Sequence, residues 1–251
     1  MPQPSERPTL MVPFMSQSSR SLLSSPVPQT YTDGSYAAAT GGTWHLEDSV
    51  FKAGQVLRLL RRHPEMNPGS ICDIGCGTGG VLAELDRRLD FVAQFKGYEV
   101  SPQAHALAQH FNSSRCEYML GDPFADGRFF DLALALDVVE HVEDCFRFVR
   151  QCAGKATWKI YHIPLDVSAS SVVRGTNCWE IVKHLHLFTR ETALKTIQYA
   201  GHEVVDWFLT PVALERPHRA ATRLTNLPRR ILPESLASRI FGGYSIMILA
   251  K

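Results

Sequence analysis

A chain of 251 residues is long enough for one α/β domain with elaborations and does not call for a second core. With 45% hydrophobic and 20% charged residues it has the composition of a folded globular protein, which excludes a fibre or a disordered chain. A formal net charge of +1 gives no whole-molecule reason to bind nucleic acid, and no run reaches the ~20 apolar residues of a spanning helix, so neither nucleic acid nor membrane is expected as partner and a small molecule is.

The chain opens with some thirty residues rich in Ser, Pro and Gln, without helical or strand periodicity, and residues 1–30 are expected as a disordered tail. Met11 to Met15 is too short, and is broken by Pro13, to serve as the apolar core of a secretory leader. Six cysteines (Cys72, Cys76, Cys116, Cys145, Cys152 and Cys178) sit mostly in apolar runs without CxxC pairs, so they read as reduced thiols and the expected location is cytoplasmic. A homodimer is compatible with the sequence, which does not specify the oligomeric state.

Residues 31–68 are expected to form a lid and a leading helix. Tyr31-Thr32-Asp33-Gly34-Ser35-Tyr36 and Thr43-Trp44-His45-Leu46-Glu47-Asp48 concentrate aromatic and polar groups, and Tyr31, Trp44 and His45 are candidates to cover a ligand; packing of Trp44 under the helix is the competing reading. From Glu47 to Arg62, the residues Val50, Phe51, Val56, Leu57, Leu59 and Leu60 fall largely on one helical face, ended by Pro64 and Pro68.

From residue 69 to 251, short apolar runs alternate with helical stretches. Strands are predicted at Ile71–Ile74, Phe95–Val100, Glu117–Leu120, Phe130–Leu136, Thr157–Ile163, Glu203–Leu209 and Tyr244–Leu249, with intervening helices starting near Gly79, Pro102 and Val142. This alternation predicts a parallel sheet with crossover helices. Another helix is predicted over Arg190–Ala200, led by Thr189 and ended by Gly201. An insertion over 210–243 carries Arg216, Arg219, Arg223, Arg229, Arg230 and Arg239; a solvated helix face is the commoner reading, anion recognition the alternative.

The segment Ile71-Cys72-Asp73-Ile74-Gly75-Cys76-Gly77-Thr78-Gly79-Gly80 joins a strand to a helix through a glycine-rich turn, where the backbone bends sharply and a ligand can approach the main chain. Gly75-x-Gly77-x-x-Gly80 alone also satisfies the dinucleotide fingerprint. Glu99, ending Gly97-Tyr98-Glu99-Val100, is placed to accept both hydroxyls of a ribose.

Asp73-x-Gly75-x-Gly77-x-Gly79, then Glu99, then Leu120-Gly121-Asp122-Pro123, and then Asp137-Val138-Val139-Glu140-His141 after the fourth strand together resemble class I S-adenosylmethionine-dependent methyltransferases of the small-molecule type, ubiquinone-biosynthesis-like members included. His184-Leu185-His186-Leu187-Phe188-Thr189 looks like that family's substrate-side strand, and the resemblance runs from about Tyr31 to Lys251. It implies a single α/β domain, a doubly wound seven-stranded, mostly parallel sheet with an antiparallel C-terminal hairpin. It also implies S-adenosylmethionine as cofactor, held by Asp73, Gly75, Cys76, Gly77, Gly79, Glu99, Val100, Asp122, Pro123, Asp137 and Val138, with Asp122 on the adenine amino group. The implied reaction methylates O, N or C of a small molecule and releases S-adenosylhomocysteine. A non-catalytic cofactor-binding partner protein and an NAD(P)-dependent oxidoreductase are the alternatives.

Methyl transfer from a sulfonium needs alignment, and a base only where the acceptor must lose a proton. His141, after the fourth strand, is the first candidate for that base; a histidine that merely bonds a loop is the competing reading. His162, His184 and His186 are candidates for lining the acceptor pocket. No metal is expected, because His184 and His186 at i and i+2 lack the helical spacing of a zinc pair; a divalent site drawing on Glu140 and Asp137 is the alternative. Tyr244 faces the cleft or the core, and Trp179 and Trp207 are assigned to packing.

Overall fold

The computed structural model describes residues 46–175, 183–212 and 227–251, except for the side chains of 228 and 229. The tail at 1–30, Tyr31, Trp44, His45, Cys178, Trp179, Arg216, Arg219, Arg223 and the Arg229 side chain lie outside the described residues.

Seven strands form one sheet: β1 (Ser70–Ile74), β2 (Gln94–Glu99), β3 (Cys116–Leu120), β4 (Phe130–Leu136), β5 (Ala156–Pro164), β6 (Val204–Thr210) and β7 (Ser245–Ala250). Their order is β3-β2-β1-β4-β5-β7-β6. The first five strands pair in parallel, whereas β7 runs antiparallel to both β5 and β6. The helices are α1 (Ser49–Arg62), α2 (Gly80–Arg88), α3 (Pro102–Ala108), α4 (Cys145–Ala153), α5 (Ala169–Arg174), α6 (Arg190–Tyr199), α7 (Leu227–Ile231) and α8 (Glu234–Phe241). No helix among the described residues is long and apolar enough to cross a membrane.

The central strands are continuously apolar because both faces of the sheet are covered. Successive residues feed opposite cores, as the two-residue strand period requires. Ile71, Leu132, Leu134, Ile160 and Met247 pack with Val56 and Leu59 of α1 and Leu82 and Leu85 of α2. Cys72, Ala133, Ala135, Tyr161 and Ile248 pack on the other side with Phe148 and Val149 of α4 and Ile197 of α6. Thr189 caps α6 reciprocally with Thr192, which satisfies orphan N–H groups of its first turn.

Two expectations are corrected. Val50 is 58% exposed, because the apolar face of α1 that meets the sheet is centred on Ala53, Val56 and Leu59 and leaves Val50 at its outer edge. Residues 183–189 form no strand; the segment is irregular, and the Leu185 and His186 N–H groups donate to the Glu140 carbonyl (2.8 and 3.1 Å) rather than to a sheet edge.

Candidate functional site

The strand order reverses between β1 and β4, so the loops after these two strands meet at one crevice, where open α/β sheets bind ligands. The turn after β1 is built from left-handed glycines: Gly75 at φ 74°, Gly77 at 55° and Gly79 at 81°. The Gly75 and Cys76 N–H groups both donate to the Tyr98 carbonyl (2.8 and 3.0 Å), which staples the turn to β2. A Cβ on Gly75 would lie 2.8 Å from Val138 Cγ2, so this glycine also lets the β1 and β4 loops close on each other. At Gly77 nothing among the described residues lies within 4 Å of the added carbon, so on their side the main chain is open to a ligand.

Glu99 sits beside that opening with 6% of its surface exposed. Its Oε2 accepts from Gly77 N–H, and its Oε1 from Val100 and Ser101 N–H, each at 2.8 Å. Burial raises its pKa against the lowering effect of these three bonds. A carboxylate has about four lone-pair sites, so Glu99 buckles the glycine turn and keeps limited capacity for a further donor. Asp73, at the end of β1, is 2% exposed, and burial pushes its carboxyl up to about 7, with Lys52 opposing the shift and Glu99 adding to it. Cys76 is buried against Gly97, Val100 is half-buried and Pro123 is buried. Asp122 is exposed, and its Oδ1 accepts from the Phe124 N–H at 2.9 Å.

At the end of β4, Asp137 adopts a left-handed φ of 58° and its carboxylate is gripped from two sides. Lys52 Nζ of α1 lies 2.8 Å from one oxygen and His162 Nδ1 of β5 2.5 Å from the other. Desolvation would raise the Asp137 pKa, but these two partners hold it well below the carboxylate range. His162 is 2% exposed, and Thr210 Oγ1 lies 3.0 Å from its other nitrogen, so both ring nitrogens are spoken for.

The 3-10 turn Val139–His141 follows. Glu140 is fully buried, and neither carboxylate oxygen has a hydrogen-bond partner; burial first and Asp137 second push its pKa well up. His141 donates from Nδ1 to the Lys183 carbonyl (3.2 Å), and its Nε2 lies 3.9 Å from Glu140 Oε1. Burial, then His184, lowers the His141 pKa to about 4. The His184 ring stands edge-on to His141, with centroids 4.8 Å apart, and its Nδ1 donates to Asp166 Oδ2 at 2.7 Å.

Of the four candidate histidines, the fold therefore joins His141 and His184, with the buried Glu140 of the 3-10 turn that carries His141 beside them. His162 serves the Asp137 carboxylate, which disfavours it as a base. His186 turns away, with Nε2 on the Val142 and Glu143 carbonyls (2.9 and 3.2 Å), so it does not share a pocket face with His184 as expected. Tyr244 is buried in the core and not in the cleft, while Trp207 is 38% exposed, with the Arg190 guanidinium 5.4 Å from its ring. Sequence reasoning missed Lys52 and Asp166; a single charged residue in an amphipathic helix or a loop carries no local signal of its partner.

The strand order, the open glycine turn after β1 and the acid closing β2 define the Rossmann-like fold of class I S-adenosylmethionine-dependent methyltransferases. The methyltransferase-domain family matches residues 47–206, more than half of the chain, and the chain belongs to that family. This membership sets aside the nicotinamide reading. Ajmaline N-methyltransferase of Rauvolfia serpentina is 31% identical over 121 residues, covering 43% of this chain and 40% of that protein. Ubiquinone biosynthesis O-methyltransferase of Azorhizobium caulinodans is 41% identical over 159 residues, covering 60% of this chain and 57% of that protein. The matching region thus spans well under two thirds of these curated relatives. Magnesium protoporphyrin IX methyltransferase from Synechocystis with bound SAH has a similar fold, with a TM-score of 0.55 at 15% identity, over 80% of this chain and 82% of that one.

Proposed function

We propose that this chain transfers the methyl group of S-adenosylmethionine to O, N or C of a small-molecule acceptor and releases S-adenosylhomocysteine. The observation that carries the reading is the open main chain at Gly77 beside the buried Glu99 carboxylate. That pairing fits a ribose: a flat face of backbone without a Cβ, and an acceptor for hydroxyl protons. The buried Asp73 fits the cationic methionine end, and the exposed Asp122 an adenine amino group. Gly75, Gly79, Cys76, Val100, Pro123 and Val138 shape the crevice walls, and Asp137, locked by Lys52 and His162, fixes the β4 edge. Tyr31, Trp44 and His45 are proposed to cover the site from the N-terminal side.

When bound, the cofactor supplies an electrophilic methyl on a sulfonium whose departure needs no acid. The chain's own task is to hold the acceptor in line with it and to exclude water. Where the acceptor is a hydroxyl or an ammonium, a proton must also be removed, and the His141–His184 pair on the β4 side is the group proposed to manage it. The N- and O-methyltransferases among the relatives support a small organic acceptor.

Calorimetric titration with S-adenosylmethionine, S-adenosylhomocysteine and NADPH in parallel tests the reading. Binding of the sulfur pair and not of NADPH is expected, followed by label transfer from methyl-labelled cofactor in an acceptor screen. A folded protein that binds neither sulfur compound overturns it.

A further inference from the structure

We infer that Glu140, His141 and His184 form a site for one divalent transition-metal ion, and that the open position on this ion takes the heteroatom of the methyl acceptor. The first half stands on geometry alone; the second rests on the methyltransferase reading.

One ligand atom from each of the three residues lies within 4.8 Å of the other two. Atoms that close share a point within about 2.8 Å of each, and a zinc-type ion needs about 2.0–2.2 Å, so side-chain shifts under about 1 Å complete the site. Glu140 is fully buried and both its oxygens lack a hydrogen-bond partner. A buried polar group is costly unless it is paired, and a cation between the two rings is the partner that fits. Both imidazoles are held from behind: His141 Nδ1 by the Lys183 carbonyl and His184 Nδ1 by the Asp166 carboxylate. Metal-bound histidines are oriented in this way, with the Nδ1 proton donated outward and Nε2 turned to the ion. The His141 and His184 side chains are 13% and 11% exposed, so solvent reaches the rings while the Glu140 carboxylate is sealed.

The ligand set chooses the ion. Two imidazoles and one carboxylate suit zinc, cobalt or iron(II), whereas magnesium and calcium favour oxygen ligands. Three protein ligands also leave a position for substrate. An acceptor hydroxyl bound there gives up its proton to solvent near neutral pH. Its oxygen lone pair then forms the O–C bond as the C–S bond breaks, and the sulfur keeps that electron pair and leaves as a neutral thioether. On this reading the His141–His184 pair manages the acceptor proton through the ion it holds, and not as a free base.

The test loads chelator-treated protein with Co2+ and follows visible absorption and equilibrium dialysis. Wild type and His110→Ala, which alters an exposed histidine in the 3-10 turn Gln109–Phe111 after α3, are expected to bind one equivalent. His184→Ala and Glu140→Gln should lose about 100-fold or more in affinity, and Asp166→Asn about 10-fold. Equal affinity in folded variants, or no stoichiometric binding by wild type, overturns the site; if His184→Ala does not fold, the isosteric Glu140→Gln decides. Azide added to the Co2+ protein should shift the spectrum, and an unchanged spectrum closes the open position and overturns the second half. S-adenosylhomocysteine titrated into the same metal-free protein tests the methyltransferase reading separately: its failure with Co2+ binding retained removes only the acceptor's role.

Discussion

Exchanging Glu99 for glutamine keeps the side-chain shape and removes the charge on which the glycine turn closes. In the wild type, Oε1 accepts from Val100 and Ser101 and Oε2 from Gly77, all at 2.8 Å. An amide presents an acceptor on one side only. Keeping two bonds turns its NH2 toward the Gly77 N–H, donor against donor, at the point where the backbone is open to a ligand. A hydrogen bond to a charged group contributes about 1.5–3 kcal/mol, and an unpaired buried donor costs a similar amount. Glu99→Gln should therefore unfold about 2 kcal/mol more easily in urea, followed by circular dichroism. The ribose loses its charged acceptor as well, so S-adenosylhomocysteine affinity should fall about 10- to 150-fold by calorimetry. A folded variant with wild-type affinity refutes the assignment of Glu99 to the ribose, and unchanged stability refutes its role in closing the turn.

Asp73 gives a pH signature. Its folded-state pKa of about 7 lies above that of the unfolded chain, so its favourable contribution is complete below about pH 4 and is lost as pH rises through 7. Relative to Asp73→Asn, the wild type without ligand should lose on the order of 4 kcal/mol between pH 4 and pH 8; a pH-independent difference in urea stability refutes it. Gly75→Ala meets both a left-handed φ of 74° and Val138 Cγ2 at 2.8 Å. It should cost about 2–5 kcal/mol in urea unfolding, the sum of backbone strain and overpacking. Adding Val138→Ala should restore only the packing part, and full recovery would show that the backbone is not strained there.

The strands were legible because a sheet covered on both faces demands short, continuously apolar runs, and Phe130–Leu136 or Ile71–Ile74 can satisfy nothing else nearby. The glycine turn and Glu99 were legible because left-handed backbone favours glycine and the turn's exposed N–H groups call for a carboxylate. Val50 was misplaced because a helical period identifies an apolar face and not which part of it the sheet will cover. The histidines were harder still. The i, i+2 spacing of His184 and His186 puts both rings on one face only if the segment is extended, and His186 instead turns to the Val142 and Glu143 carbonyls.

By itself, then, the sequence determined the alternation of elements, the glycine turn after β1 and the acid that ends β2, all features carried by neighbouring residues through backbone geometry. Only the tertiary structure decided that Lys52 and His162 grip Asp137, that Asp166 backs His184, and that His184 meets Glu140 and His141. Those contacts join β4 to a helix before it, to the strand beside it and to an irregular segment after it. Which of many distant polar side chains become partners is set by the strand order and by the burial of Glu140, and neither is a property of any local stretch of chain.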